Sequence, residues 1–157
     1  MTAAQPMTFT STAVIETLRW VCGLLRREQI PFQVSGATAV VAHGAKRSVS
    51  GVELFIRADH LPKLMRVAKD HIIDYPRRRR DDHWDMVAMV LEVNGVLVSV
   101  GIADGARIRT EGSGEWRNAE IDVAVSEFLA VENIEFPVMP RPQLFDLPRF
   151  ADPDDGS

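Results

Sequence analysis

Between Ser35 and Glu53 the chain runs Ser-Gly-Ala, a short apolar stretch, His43-Gly44, Arg47 and Gly51-Val52-Glu53. Residues of these types, in this order, suit the handling of phosphate. A glycine turn that opens a helix presents unpaired backbone N–H groups and the positive end of the helix dipole. Glycine also lets the backbone come close to a ligand. Ser35, Gly36 and Ala37 are therefore the candidate phosphate seat, and Arg47 a candidate phosphate contact. Acidic residues two apart on a strand would point to one face. Where such a pair would be sought, the chain supplies Gly51 and Glu53.

The elements that must position these residues can be read from periodicity. Val14, Leu18, Val21 and Leu25 recur at helical spacing within STAVIETLRWVCGLLRREQI, with Ile15 and Leu24 widening the stripe. Ser11 or Thr12 can cap its start, and Pro31 limits its end. PFQVS alternates and predicts a short strand broken by Gly36. ATAVVAH predicts a short helix stopped at Gly44. VELFI predicts a strand with Val52, Leu54 and Ile56 on one face and Glu53 and Phe55 on the other. ADHLPKLMRVAKDH predicts a helix with Asp59 as its candidate cap and Leu61, Leu64, Met65 and Ala68 on its buried side.

MVAMVLEV-NG-VLVSVGI carries Asn94-Gly95 between two apolar runs, a strong hairpin signal. With those two residues in the turn, Val93 lies opposite Val96, Glu92 opposite Leu97 and Val90 opposite Ser99. Met89, Leu91, Val93, Val96, Val98 and Val100 then form a core face. YPRRRRDDHWD reads as a charged connection, and residues 104–118 as a polar loop. AEIDVAVSEFLAV and IEFPVMP supply at least one more strand, the first with helical character possible. The whole predicts an α/β (α+β) chain: a mixed sheet with an antiparallel hairpin and helices packed on one face. Residues 1–147 read as a single domain, and 148–157 as a disordered acidic tail.

Composition narrows the function. The 157 residues suit one domain, and 46% hydrophobic with 25% charged residues is ordinary for a globular protein. The formal net charge of −4 provides no global field for nucleic acid, so binding of that kind would need a local patch. The single cysteine, Cys22, excludes an internal disulfide and reads as a small buried hydrophobe. No apolar run is long enough to span a bilayer. MTAAQPMTFT lacks a basic region followed by an apolar one, so no signal peptide is expected, and the cytoplasm is the expected compartment.

The motif Gly36-Ala37, Ala39, His43-Gly44, Arg47, Gly51-Val52-Glu53 resembles the nucleotidyltransferase superfamily, the fold shared with polymerase beta and small stand-alone bacterial domains. The order of elements agrees through the hairpin, about two thirds of the chain. The resemblance implies a triphosphate at Ser35–Ala37 and Arg47, with Mg²⁺ held between carboxylates and phosphates. It makes Glu53 the catalytic and metal-binding residue. The family's first aspartate is replaced by Gly51 and its second by Glu53. The third carboxylate would fall at about Ser99. Val49 replaces a usual threonine, and Ala37 a second glycine or serine.

Glu92 is the candidate substitute metal ligand, on the face of Ser99 and diagonal to it at about 7–8 Å. Asp81, Asp82, His83 and Asp85 are further options. Three functions follow. One is a non-catalytic nucleotide- or phosphate-binding or interaction module with a degenerate active site. The second is a Mg²⁺-dependent nucleotidyltransferase using Glu53 and Glu92. The third is an antitoxin-like protein partner. A nucleotide, a protein partner or a second copy are the partners to expect.

Several residues carry an ordinary reading beside the chemical one. Glu53 suits the solvated face of a strand, and Arg47 a salt bridge across its loop. His43 suits a helix end, favoured by the dipole. Arg77 to Arg80 could track a nucleic acid backbone with Trp84 stacking on a base. The neighbouring aspartates favour a self-paired loop instead. FPVMPRP could be an exposed arm or a proline-blunted edge strand.

Overall fold

A computed structural model describes residues 11–109 and 114–148. The first helix, α1 (Thr12–Arg27), is capped by Ser11, whose hydroxyl accepts the Val14 N–H at 3.3 Å. Its stripe of Val14, Leu18, Val21, Leu24 and Leu25 is buried as the spacing predicts. Cys22 is buried with them, and burial pushes its thiol up to about 12. The chain then forms β1 (Gln33–Ser35), α2 (Gly36–Ala42) and β2 (Val52–Ile56). Gly44 stops α2 at φ 111°. Gln33 was expected to alternate outward but is fully buried. Its amide donates to the Asp122 and Val125 carbonyls and the Ser126 hydroxyl, tying that loop to β1.

The single helix predicted over 58–71 is broken. Only α3 (Leu61–Val67) is α-helical, with a 3-10 turn on each side, and the Asp59 side chain makes no cap. Leu64 and Ala68 are buried, and Leu61 and Met65 pack beside them.

Next come β3 (Ile72–Arg80), β4 (Trp84–Val93) and β5 (Val96–Ile102). The chain continues with β6 (Arg107–Arg109), β7 (Trp116–Asn118), β8 (Glu127–Val131), β9 (Ile134–Val138) and α4 (Arg141–Asp146). They form one mixed sheet of order β7-β6-β4-β5-β2-β1-β9-β8, with β3 paired to β4. β2 runs parallel to β5, and β4 antiparallel to it. The β4–β5 register is the predicted one: Val93↔Val96, Glu92↔Leu97 and Val90↔Ser99. Asn94 and Gly95, at φ 55° and 76°, make the turn.

Helices α1 and α3 cover the sheet face that carries Leu54, Leu91, Val98 and Phe136. The opposite face is half covered. Phe55, Trp84, Met86 and Ile108 pack there against Ala103, Ala119, Val123 and Met139. The rest of that face is open. FPVMPRP is no exposed arm, because Phe136, Val138 and Met139 lie in the core. Residues 104–118 are not all loop, since β6 and β7 form within them. The acidic tail lies outside the described residues except Pro148, whose carbonyl accepts the Trp84 indole N–H at 3.2 Å. No helix among the described residues is long and apolar enough to cross a membrane.

The largest departure is β3. YPRRRR is a strand, and its period of two sends the arginines to opposite faces. Arg77 and Arg79 sit opposite Ala88 and Met86, on the open face, and both pair with Asp74. Arg78 and Arg80 sit opposite Val87 and Asp85, on the other face. Arg78 grips Asp85 through two bonds of 2.7 Å. Pro76 is tolerated because the ladder is irregular between Asp74 and Arg77, and because β3 pairs on one side only.

Hydrogen bonds from Arg78, opposed by burial and helped by the charges of Arg78, Arg80 and Arg107, hold the Asp85 carboxyl below the usual carboxylate range. A depressed folded-state pKa gives stability that is fully present above the unfolded value of about 3.9 and is lost as pH falls through the folded value. An acid titration followed by circular dichroism should show this loss below about pH 4. Asp85→Asn should lack Asp85's share and keep the share from Asp74, which Arg77 and Arg79 also hold low. An unchanged acid limb in the variant would remove Asp85 from this role.

Candidate functional site

The open half of the sheet is the floor of a cleft of about 920 Å³. Strand register fixes its central row. Ser35 on β1 faces Glu53 on β2, Glu53 faces Ser99 on β5, Ser99 faces Val90 on β4, and Val90 faces Asp74 on β3. Partners in register share a face, so these five side chains cross the sheet in one line. Ala37, Arg47, Gly51, Glu53, Ser99 and Glu92 line the cleft, whereas Ser35 and Gly36 are not among its lining residues. Arg77 and Arg79 close its far side.

Two glycines shape the near end. Gly36 has φ +65°, and a Cβ placed on it would fall 1.5 Å from Glu53 Oε1 and 2.5 Å from Cδ. The Glu53 carboxylate thus lies directly on the Gly36 backbone, where any side chain would stand. Glu53 leans toward β1 and away from β4. A Cβ on Gly51 would meet the Leu97 carbonyl oxygen at 3.0 Å. An aspartate at position 51 would press its own β-carbon onto that carbonyl. Behind Glu53, the hydroxyls of Ser35 and Thr38 are buried with no hydrogen-bond partner, as is Arg79 Nε on the far side.

The carboxylates present do not fit a magnesium centre of the kind this frame suggests. Gly51 offers no ligand and Ser99 a neutral one. Glu53 and Glu92 line the same cleft but lie two strands and two residues apart, on the order of 12 Å between Cα atoms. Among the described residues, no group of three or more His, Cys, Asp and Glu is placed to hold a metal ion. Asp81, Asp82 and Asp85 do not converge on the row. Asp81 accepts the His83 and Trp84 N–H groups, Asp82 lies beside Arg109, and Asp85 faces the other side of the sheet. His83 stands next to the Arg109 carbonyl at 3.2 Å.

His43 is a fastening. Its Nε2 lies 2.9 Å from the Met139 carbonyl and ties the end of α2 to the strand end beyond β9. Trp84 is core, stacked near Phe55 at 6.1 Å between centroids, and cannot receive a base. Sequence reasoning missed Arg77 and Arg79 as cleft residues, and Asp74 as the carboxylate that pairs with both. The one available signal was that a strand as long as β4 needs a partner of similar length beside it.

No protein-family model matches the chain, and no curated protein does. The solved structures give a likeness. A protein of Thermotoga maritima, described as a "putative nucleotidyltransferase", superposes with a TM-score of 0.70. The match covers 84% of this chain and 80% of that one, at 16% sequence identity. The fold is nucleotidyltransferase-like. In this nucleotidyltransferase-like fold the row through Glu53 and Ser99 is the floor of the cleft.

The contact between Gly36 and Glu53 can be measured. Gly36→Ala should cost more than the roughly 1–2 kcal/mol of left-handed backbone strain alone. In a Glu53→Ala background the clash is gone, and the cost should fall toward that strain value. Denaturant unfolding of the four proteins should give a coupling of about 1–3 kcal/mol. Additive effects would mean that Glu53 does not lie on Gly36.

Proposed function

We propose that this chain is a non-catalytic nucleotide- or phosphate-binding module built on the nucleotidyltransferase-like fold. The observation that carries the reading is the floor row itself. Its metal-facing positions read Gly51, Glu53 and Ser99, with Glu53 turned onto Gly36. What remains around the cleft suits phosphate oxygens: Arg47 on the loop before β2, and Arg77 and Arg79 held in place by Asp74. A guanidinium held by a carboxylate keeps further donors for a second anion. Ala37 completes the near wall.

An active enzyme would need Glu53 to swing off Gly36 and share an ion with Glu92. A protein-partner role, antitoxin-like or between copies, is favoured by one observation: Phe128 on the edge strand β8 is 67% exposed. The protein-partner reading supplies no use for the arginines of the cleft.

Calorimetry with a nucleoside triphosphate, with Mg²⁺ and with excess chelator, tests the proposal. Binding should persist in chelator, weaken as salt rises, and weaken about tenfold in Arg79→Ala, since a charged hydrogen bond contributes about 1.5–3 kcal/mol. Metal-dependent nucleotidyl transfer by the purified protein, lost in Glu53→Gln, would replace this reading with the enzyme.

A further inference from the structure

The face of the sheet opposite the cleft carries a second assembly of charges. Arg80 faces Asp85, Asp85 faces Arg107, and Arg107 faces Asn118. One step along the same face, Arg109 is opposite Trp116. Three guanidinium carbons gather on the Trp116 ring: Arg80 at 4.9 Å, Arg109 at 5.3 Å and Arg107 at 5.9 Å from its centroid. Arg78 adds a fourth arginine on that face, opposite Val87. Among the described residues, Asp85 lies under Arg78 and 4.0 Å from Arg107, and Asp82 lies 3.9 Å from Arg109.

This is a built surface. Asp85 is buried and collects the charges of Arg78, Arg80 and Arg107 from three directions. Trp116 holds three of the side chains by cation–π contact. Both restraints reduce the rotamer freedom that free arginines would lose on meeting a ligand. The heads stay in water, with Arg78, Arg107 and Arg109 side chains 62%, 46% and 37% exposed. Val87, beside Arg78, is over a third exposed. A chain of net charge −4 therefore presents four arginines, an indole and an apolar side chain together on one flat patch.

We propose that this platform binds single-stranded nucleic acid. Phosphates would pair with Arg80, Arg107 and Arg109, whose planar forks suit phosphate oxygens. Bases would rest against Trp116 and Val87, a contact that tolerates any sequence. The platform is made of strand residues, with no helix in it to enter a duplex groove. Arg78 and Arg80 also border the cleft, but Arg107, Arg109 and Trp116 do not, so the platform does not depend on the cleft binding nucleotide.

Fluorescence anisotropy with a labelled oligo(dT), and a salt series, provides the test. The full chain should bind, with log affinity falling linearly against log salt. Arg80→Gln with Arg107→Gln should bind at least about tenfold more weakly, and its salt slope should be shallower by about 0.7 for each arginine removed. Trp116→Leu should weaken binding while leaving the slope nearly unchanged, because it removes stacking and no charge. Arg57→Gln, which removes one charge at an exposed site outside the platform, paired with Asp59, should bind as the parent does. Circular dichroism confirms that each variant is folded. Equal loss in Arg57→Gln, equal affinity for a duplex, or displacement by polyphosphate at equal phosphate concentration would each overturn the assignment. So would a parent protein that fails to bind at low salt.

Discussion

The register of the β4–β5 hairpin is the constraint on which the site depends. Asn94 and Gly95 accept the left-handed angles of the turn, and the ladder from Val93↔Val96 onward has no freedom left. A slip of one residue would carry Met89, Leu91, Val98 and Val100 into the cleft and bring Val90 and Ser99 into the core. Each buried aliphatic side chain contributes about 1.5–3 kcal/mol. Four of them amount to roughly 10 kcal/mol, as much as the whole stability of an ordinary domain. The line Ser35–Glu53–Ser99–Val90–Asp74 is therefore set by apolar burial on the far side of the sheet. Its chemistry rides on that packing.

Packing also explains what stands in the line. Gly36 is favoured by its φ of +65° and by the Glu53 carboxylate in the space of its side chain, and at Gly51 a Cβ would stand in tight contact, 3.0 Å from the Leu97 carbonyl oxygen of β5. Gly101 does the same on the other side of Ser99, where a Cβ would meet the Phe55 ring at 2.7 Å. Three close approaches thus surround Glu53 and Ser99. A carboxylate restored at position 51 alone would push on the strand that places Ser99. Gly36, Gly51, Glu53 and Ser99 belong to one packed unit.

Elements with strong periodicity and a matching terminator were legible in the sequence. Helix α1, α2 with Gly44, β2 and the hairpin stand where spacing and turn chemistry put them. The failures share a cause. β3, β6 and β7 are short or charged strands at the margin of the sheet, and much of their surface stays in water. Apolar alternation, the signal that marks a strand, is weak where neither face is wholly buried. Arg77 to Arg80 look like a loop in one dimension because the carboxylates that neutralise them, Asp74 and Asp85, lie on different faces of a ladder. The reading of FPVMPRP as an exposed arm or a blunted edge strand fails for the opposite reason. Proline suggested an exposed edge, yet β9 pairs on both sides and its residues are buried. In the site, Glu53, Ser99 and Glu92 were legible because register alone places them. The lean of Glu53 onto Gly36 was not, because it depends on the angle between β1 and α2.

Net charge misleads about this molecule for a related reason. A charge of −4 spread over a whole domain sets the far field. At physiological salt that field decays over about 8 Å, which is less than the width of two paired strands. What a ligand meets on contact is the local arrangement. A strand with four consecutive arginines divides its charge between two faces, two to each, and the rest of the fold treats the two pairs differently. On the cleft face Asp74 takes both Arg77 and Arg79, while Glu53 and Glu92 stand nearby, so the cleft is nearly balanced and selects by geometry. On the other face Asp85 binds Arg78 closely, and β6 adds Arg107 and Arg109 around Trp116 to an already basic edge. The sign of each surface is therefore decided by strand alternation and by which short strands dock beside β4, and composition averages the two away.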